Sequence, residues 1–167
     1  MAKLEVFDQK FQLVIVGKSG YGYKAIKFKI QNFPKQNKFA AGQAKFEIRE
    51  LGYLSSEEDR ACLYGGAEVF VFPSLYEGFG IPVLEAMACG TPVVASDIEP
   101  LKEISSEAAL FFKVEDAENL AEKIKGILEN QEFRRELIIR GLERVKNFSW
   151  RKCAAKTLEI LLNCGKI

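Results

Sequence analysis

One unbroken stretch does most to limit the fold: FVFPSLYEGFGIPVLEAMACGTPVVAS, from Phe70 to Ser96. It opens on an apolar run, Glu68–Phe72 (EVFVF), and closes on another, Pro92–Ala95 (PVVA). Runs this apolar read as strands buried on both faces. Between them lie a glycine-flanked loop, Leu75–Gly80, and an apolar segment from Ile81 to Cys89. Pro82 suits the first residue of a helix, where its missing N–H would be an orphan anyway. Gly90 suits the residue just past a helix end, and Pro92 cannot continue one. Strand, helix and strand in this order predict a crossover between two parallel strands.

The rest of the chain repeats the theme. Phe11–Gly17 (FQLVIVG) reads as a buried strand, and Phe46–Leu51 (FEIREL) alternates like one. Ala109–Phe112 (ALFF) gives a further strand. Tyr23, Ile26, Ile30 and Phe33 fall at helical spacing, although Ile26, Phe28 and Ile30 also alternate. Pro34–Gly42 reads as a loop. Ser55 followed by Glu58 is a capping-box pattern that opens a helix ending near Gly65 and Gly66. From Asp116 the pattern is helical: about Glu118–Glu129, Glu132–Lys146 and Trp150–Leu162. Alternating strands and helices predict an α/β fold, a Rossmann-like doubly wound parallel sheet with helices on both faces. The 167 residues predict a single domain, with its core over about 11–147 and a last helix over about 150–162.

Composition narrows the chemistry. Hydrophobic residues make up 48% and charged residues 28%, as in ordinary soluble domains. No apolar run approaches the ~18 residues of a membrane span, and MAKLEVFDQK is not a signal peptide. Histidine is absent, and Cys62, Cys89, Cys153 and Cys164 form no C-x-x-C pair. A zinc site is therefore not expected, nor are Ser–His or Cys–His dyads. Unpaired thiols suit a reducing cytoplasm.

The net charge of +1 is unevenly spread, because Lys18–Lys45 holds seven lysines and no Asp or Glu. The plain reading is a solvated surface. The sharper one is contact with an anionic ligand or the inner face of a membrane. Nucleic acid is not expected, since no nucleic-acid-binding signature accompanies the lysines.

Two phosphate motifs fail. Gly17-Lys18-Ser19 follows a strand as in a P-loop, but Gln12 stands where that motif needs its first glycine. Gly20-Tyr-Gly22 and Gly78-Phe-Gly80 lack the third glycine of a nicotinamide-binding fingerprint, with Ile26 and Val83 near that position. A nicotinamide-dependent oxidoreductase is disfavoured.

The two glutamates of the opening stretch carry more. Glu77 sits on the loop beyond a strand's carboxyl end, where open α/β sheets bind ligands. Glu85 lies about one turn into an otherwise apolar helix. Gly78 and Gly80 leave approachable backbone amides, and the helix start adds unpaired N–H groups and a positive dipole end. Such a place suits a diphosphate. Carboxylates repel phosphate but accept hydrogen bonds from sugar hydroxyls. A diphosphate flanked by two polyhydroxylated rings, as in a nucleotide-sugar, satisfies both. The competing reading is that Glu85 is held by an internal partner and Glu77 is an exposed loop acid.

The run EGFGIPVLE, Glu77 to Glu85, resembles the E-x7-E motif of the retaining glycosyltransferases of family 4, also called group 1. The surrounding Phe70–Ser96 is similar to that family almost throughout. Leu51–Leu54 and Phe148-Ser149-Trp150 are similar to weaker family features. The resemblance implies the C-terminal, donor-binding half of a GT-B enzyme that moves a hexose from a UDP- or GDP-sugar to a saccharide or lipid-linked acceptor. It places Glu85 on the nucleotide ribose and Glu77 on the donor sugar. Glu77 is the catalytic candidate, better cast as a sugar-binding residue than as a nucleophile. Backbone around Gly78, Phe79, Gly80 and Ile81 would meet the sugar, and that around Val83 and Leu84 the phosphates. The base would lie near Gly17, Tyr53 and Leu54. No metal and no cofactor beyond the donor is implied.

The family's G-R-x-x-x-x-K loop has no counterpart in Met1–Lys10, and the acceptor-binding domain is not encoded in these residues. The expectation is that this chain alone has little or no transferase activity and needs that domain in cis or trans. The alternative is a non-catalytic module that binds a nucleotide-sugar or docks a partner. In the family the last helix crosses back toward the acceptor domain. Leu158, Ile160, Leu161 and Leu162 are thus expected to form an exposed apolar face, with self-association as its outcome.

Overall fold

A computed structural model describes residues 11–20, 22–32 and 47–164. The predicted loop Pro34–Gly42 lies outside them. The chain divides into two compact units, Ala2–Arg60 and Ala61–Ile167.

The first unit holds β1 (Gln12–Val16), α1 (Tyr23–Gln31) and β2 (Glu47–Gly52). β1 and β2 pair in parallel, with Gln12 opposite Glu47 and Val16 opposite Gly52. The crossover helix α1 settles the ambiguity between 3.6 and 2 periodicity at Ile26–Ile30 in favour of helix. Tyr23, in its first turn, donates its hydroxyl to Glu50 on β2 at 2.7 Å.

Helix α2 (Glu57–Gly65) begins one residue later than the capping-box pattern suggested. The capping hydroxyl belongs to Ser56, not Ser55: Ser56 Oγ accepts from the Asp59 amide at 3.1 Å and donates to Glu58 at 3.0 Å. Two adjacent serines offer the same chemistry, and only the register of the turn chooses between them.

The second unit carries β3 (Phe70–Phe72), α3 (Ile81–Ala88), β4 (Val93–Ser96), α4 (Glu99–Ser105), β5 (Ala109–Phe112), α5 (Ala117–Glu129), α6 (Gln131–Val145) and α7 (Trp150–Cys164). β3, β4 and β5 form a parallel sheet in that order, with Phe70 opposite Val93 and Val93 opposite Ala109. β3 is shorter than its apolar run. Glu68, at the start of that run, is drawn into an ion pair with Arg134 at 2.7 Å.

β4 is buried throughout, and its alternation splits the core. Val93 and Ala95 join Val83, Ala86 and Met87 of α3 and Leu101 and Ile104 of α4. Val94 joins Phe112, Ile127 of α5 and Leu137 of α6. Successive strand residues point to opposite faces, so the central strand needs helices on both, as expected of a doubly wound sheet. α6 also crosses α3 closely: a Cβ on Gly141 would lie 3.2 Å from Met87 Cγ.

Polar caps close the helices. Asp116 accepts from the Asn119 amide at 2.9 Å, Asn130 from Phe133 at 3.0 Å, and Ser149 from Lys152 at 3.1 Å. Arg144 serves α4 from outside, donating to the carbonyls of Ile104 (2.8 Å) and Glu103 (2.6 Å) that the helix end leaves open. α7 leaves Leu158, Ile160, Leu161 and Leu162 57–64% exposed, and every other residue of the helix is exposed as well.

Ser106, at the end of α4, has φ 48° and ψ −132°, a backbone region that disfavours any Cβ. Ser106→Gly is expected to stabilise the chain by about 1 kcal/mol. A rise of a few degrees in the thermal midpoint would show it, and a fall would mean the serine side chain makes a compensating interaction.

Candidate functional site

The loop 73–80 leaves the carboxyl end of β3 and enters α3 through Gly80. Gly80 is the N-cap, with φ 98° and ψ 44°, and no side chain caps the helix. Its glycine identity is set from behind: an added Cβ would lie 2.5 Å from Leu101 Cδ2 and 3.1 Å from Ile104 Cδ1. This corrects the expectation that both loop glycines are approachable. Gly80 is buried against α4, whereas Gly78 is exposed and an added Cβ there meets nothing within 4 Å.

The helix start is correspondingly specific. The Val83 amide is already engaged, donating to the Gly80 carbonyl at 3.0 Å, and its side chain is fully buried. Val83 therefore belongs to the core and to the first turn rather than to an open anion cradle, and Leu84 packs half-buried against the same core cluster. Phe79 and Ile81 remain 45% and 44% exposed.

Phe79 is propped by a residue that the sequence placed only as part of a weaker motif. Its ring meets Phe148 edge-on, with centroids 6.0 Å apart. Phe148 in turn lies under the Arg144 guanidinium at 5.1 Å. Both Phe148 and Arg144 are thereby tied to the loop and to α4.

Glu77 is half-buried on the loop. Glu85 is half-buried on α3, one turn or about 6 Å of axial rise beyond Ile81. It has an internal partner: Tyr64 of α2 donates its hydroxyl to Glu85 Oε2 at 3.2 Å. Part of the burial cost is thus met inside the protein. α3 ends in a Schellman closure, with Gly90 at φ 73° donating to Met87 O and Thr91 donating to Ala86 O, both at 3.0 Å.

The remaining predicted residues lie in the first unit. Gly17 follows β1 and donates its amide to the Gly52 carbonyl at 2.8 Å. Tyr53 follows β2 and is 61% exposed, with Lys18 Nζ 4.4 Å from its ring centroid. Leu54 is half-buried, and its carbonyl accepts from Arg60 at 3.3 Å. Gly17, Tyr53 and Leu54 thus gather at the carboxyl end of one parallel strand pair. Of the lysine-rich segment, Lys18, Lys24, Lys27 and Lys29 are described and exposed; Lys35, Lys38 and Lys45 lie outside the described residues.

Among the described residues, no group of three or more His, Cys, Asp or Glu is placed to hold a metal. No helix among them is long and apolar enough to cross a membrane.

Burial raises the Cys89 thiol pKa, with Glu85 and Cys62 adding to the effect. Cys62, Cys153 and Cys164 are exposed. Since the thiolate is the reactive form, a disulfide reagent at mildly alkaline pH is expected to modify three thiols quickly and Cys89 last. A Cys89 that reacts with the fast group would contradict this packing.

Parallel sheets flanked by helices give the chain the architecture of the GT-B glycosyltransferases, which solved structures share. The chain belongs to the glycosyl transferases group 1 family, whose model matches residues 1–144. It is 42% identical over 111 residues to the O-antigen chain mannosyltransferase B of Escherichia coli, covering 66% of this chain and 29% of that protein. Sucrose-phosphate synthase from Thermosynechococcus elongatus superposes with a TM-score of 0.75 and 31% identity, over 92% of this chain and 38% of that one. The Anabaena protein HepE, solved with UDP-glucose, gives 0.74 with 20% identity, over 90% and 40%, and shares the fold. The chain spans well under half the length of these proteins.

Proposed function

We propose that the chain is the donor-binding part of a retaining hexosyltransferase that uses a nucleotide-diphosphate sugar. The observation that carries this reading is the E-x7-E pair placed on either side of an uncapped helix start, with Glu85 held one turn inside. In this reading Glu85 takes the ribose hydroxyls and Glu77 the hydroxyls of the transferred sugar. The Ile81 amide and the dipole end of α3 face the diphosphate. The exposed backbone at Gly78 and Phe79 lies beside the sugar.

The mannosyltransferase relative and the UDP-glucose complex of HepE support a hexose donor and leave GDP-mannose and UDP-glucose as the two to compare. Acceptor recognition is assigned to a separate domain, so the chain by itself binds donor without transferring it. The exposed apolar face of α7 is assigned to that domain or to a second copy.

Calorimetric titration with UDP-glucose, GDP-mannose and NAD tests the reading. Binding of a nucleotide-sugar, lost in Glu85→Ala, is the expected result. Binding of NAD alone, or of none of the three, would overturn it. A transfer assay with and without a chain carrying the acceptor domain then separates a split enzyme from a module that only binds.

A further inference from the structure

We propose that Tyr64 is a positioning residue for Glu85, fixing the direction in which that carboxylate meets the ribose of the nucleotide. The inference rests on the donor-binding reading above. It adds a residue from another helix, 21 positions earlier in the chain, with no local pattern that marks the role.

The geometry of Tyr64 is set at three points. Its backbone carbonyl accepts from the Thr91 hydroxyl. Its ring stands edge-on to Phe70, with centroids 5.1 Å apart and planes at 86°. Its hydroxyl ends on Glu85 Oε2. Phe70 is itself stacked near Phe72 at 5.9 Å on β3, so the ring leans on the sheet rather than on a loop.

Thr91 makes the arrangement stiff. Its amide closes α3 on Ala86, the neighbour of Glu85, while its hydroxyl holds Tyr64. One residue therefore ties the end of α2 to the end of α3. The phenol and the carboxylate meet because both helices are held by the same threonine.

A glutamate side chain on a half-buried helix face has three rotatable bonds to fix. A neutral phenol donating to one carboxylate oxygen selects a rotamer without neutralising the charge. A carboxylate accepts about four hydrogen bonds, so an oxygen that already receives a phenol still accepts a sugar hydroxyl, and now from a defined direction. Two vicinal ribose hydroxyls meet a carboxylate well only if its plane is set, whereas a 2′-deoxyribose, with one hydroxyl, is less demanding.

The test is calorimetric, using UDP and GDP, each beside its 2′-deoxy counterpart, on the full chain. Tyr64→Phe keeps the ring and removes only the donor. It is expected to weaken the ribonucleotide about tenfold, in line with a hydrogen bond to a charged group, and to change the 2′-deoxynucleotide little. The ratio between the two should collapse while the thermal midpoint stays within a few degrees. In a Glu85→Ala background, Tyr64→Phe should have no further effect.

Thr91→Val, which removes the hydroxyl anchor, should move the ratio the same way by a smaller factor, and it decides the matter if Tyr64→Phe does not fold. An unchanged ratio in the folded variants, with Glu85→Ala still binding poorly, overturns the role of Tyr64 and leaves the donor reading standing. If Glu85→Ala binds both nucleotides as the unmodified chain does, the donor reading itself falls, and the role of Tyr64 with it.

Discussion

Glu85→Ala is expected to reduce nucleotide-sugar affinity by one to two orders of magnitude while leaving the fold in place. The helix does not need the acid: its neighbours Val83, Ala86 and Met87 supply the buried face of α3, and alanine is the better helix former. What is lost is a charged acceptor for ligand hydroxyls, each such hydrogen bond being worth roughly 1.5–3 kcal/mol. The loss of one such bond corresponds to about tenfold to somewhat over a hundredfold in affinity. The variant also leaves the Tyr64 hydroxyl without its carboxylate, so a stability loss of about 1 kcal/mol is expected beside the binding loss. Glu85→Gln keeps that acceptor and should separate the two effects, folding normally and still binding poorly. Calorimetry and thermal unfolding on the same samples measure both. A Glu85→Ala variant that binds donor normally would mean the acid serves the fold alone.

Gly80→Ala is expected to be the most destabilising single methyl that can be added to the loop. The new Cβ would lie 2.5 Å from Leu101 Cδ2, on a fully buried side chain that must turn within a packed core to make room. Overpacking of this kind costs about 1–3 kcal/mol, and a left-handed φ of 98° adds roughly 1 kcal/mol for a residue with a Cβ. The sum, about 2–4 kcal/mol, is a large share of the margin of an ordinary domain. Gly78→Ala is the matched control two residues away, where nothing stands within 4 Å of the added atom. Urea midpoints should separate the pair clearly. Equal midpoints would mean that Gly80 is present for the ligand and not for α4.

Much of the fold could be read from local rules. β5 at Ala109–Phe112 matches its apolar run, and α3 starts at Ile81, one residue before Pro82, and closes at Gly90. These are short-range effects, decided by a residue and its next few neighbours. Where two local options were chemically equal the pattern could not choose, as with Ser55 and Ser56. The strand before the loop is shorter than its apolar run: β3 begins at Phe70, while Glu68 at the head of the run is paired with Arg134.

The candidate site divides along the same line. The acids and glycines were legible because their spacing is confined to nine residues. The partner of Glu85 was not: Tyr64 stands on another helix and looks like any core-facing aromatic. Gly80 and Gly78 are identical letters, and only the approach of α4 makes one a packing residue and the other an open one. The answer to why an apolar helix carries an acid has two parts. Tyr64 meets some of its need for hydrogen bonds, and its partial exposure leaves room for the ligand that the proposal assigns.

Phe148 has a further implication. The glycine loop packs on an aromatic ring that the chain supplies 69 positions after Phe79, just past the end of α6. A version of the protein cut before Phe148 would keep both acids and every strand of the sheet and yet leave Phe79 without the ring it packs against.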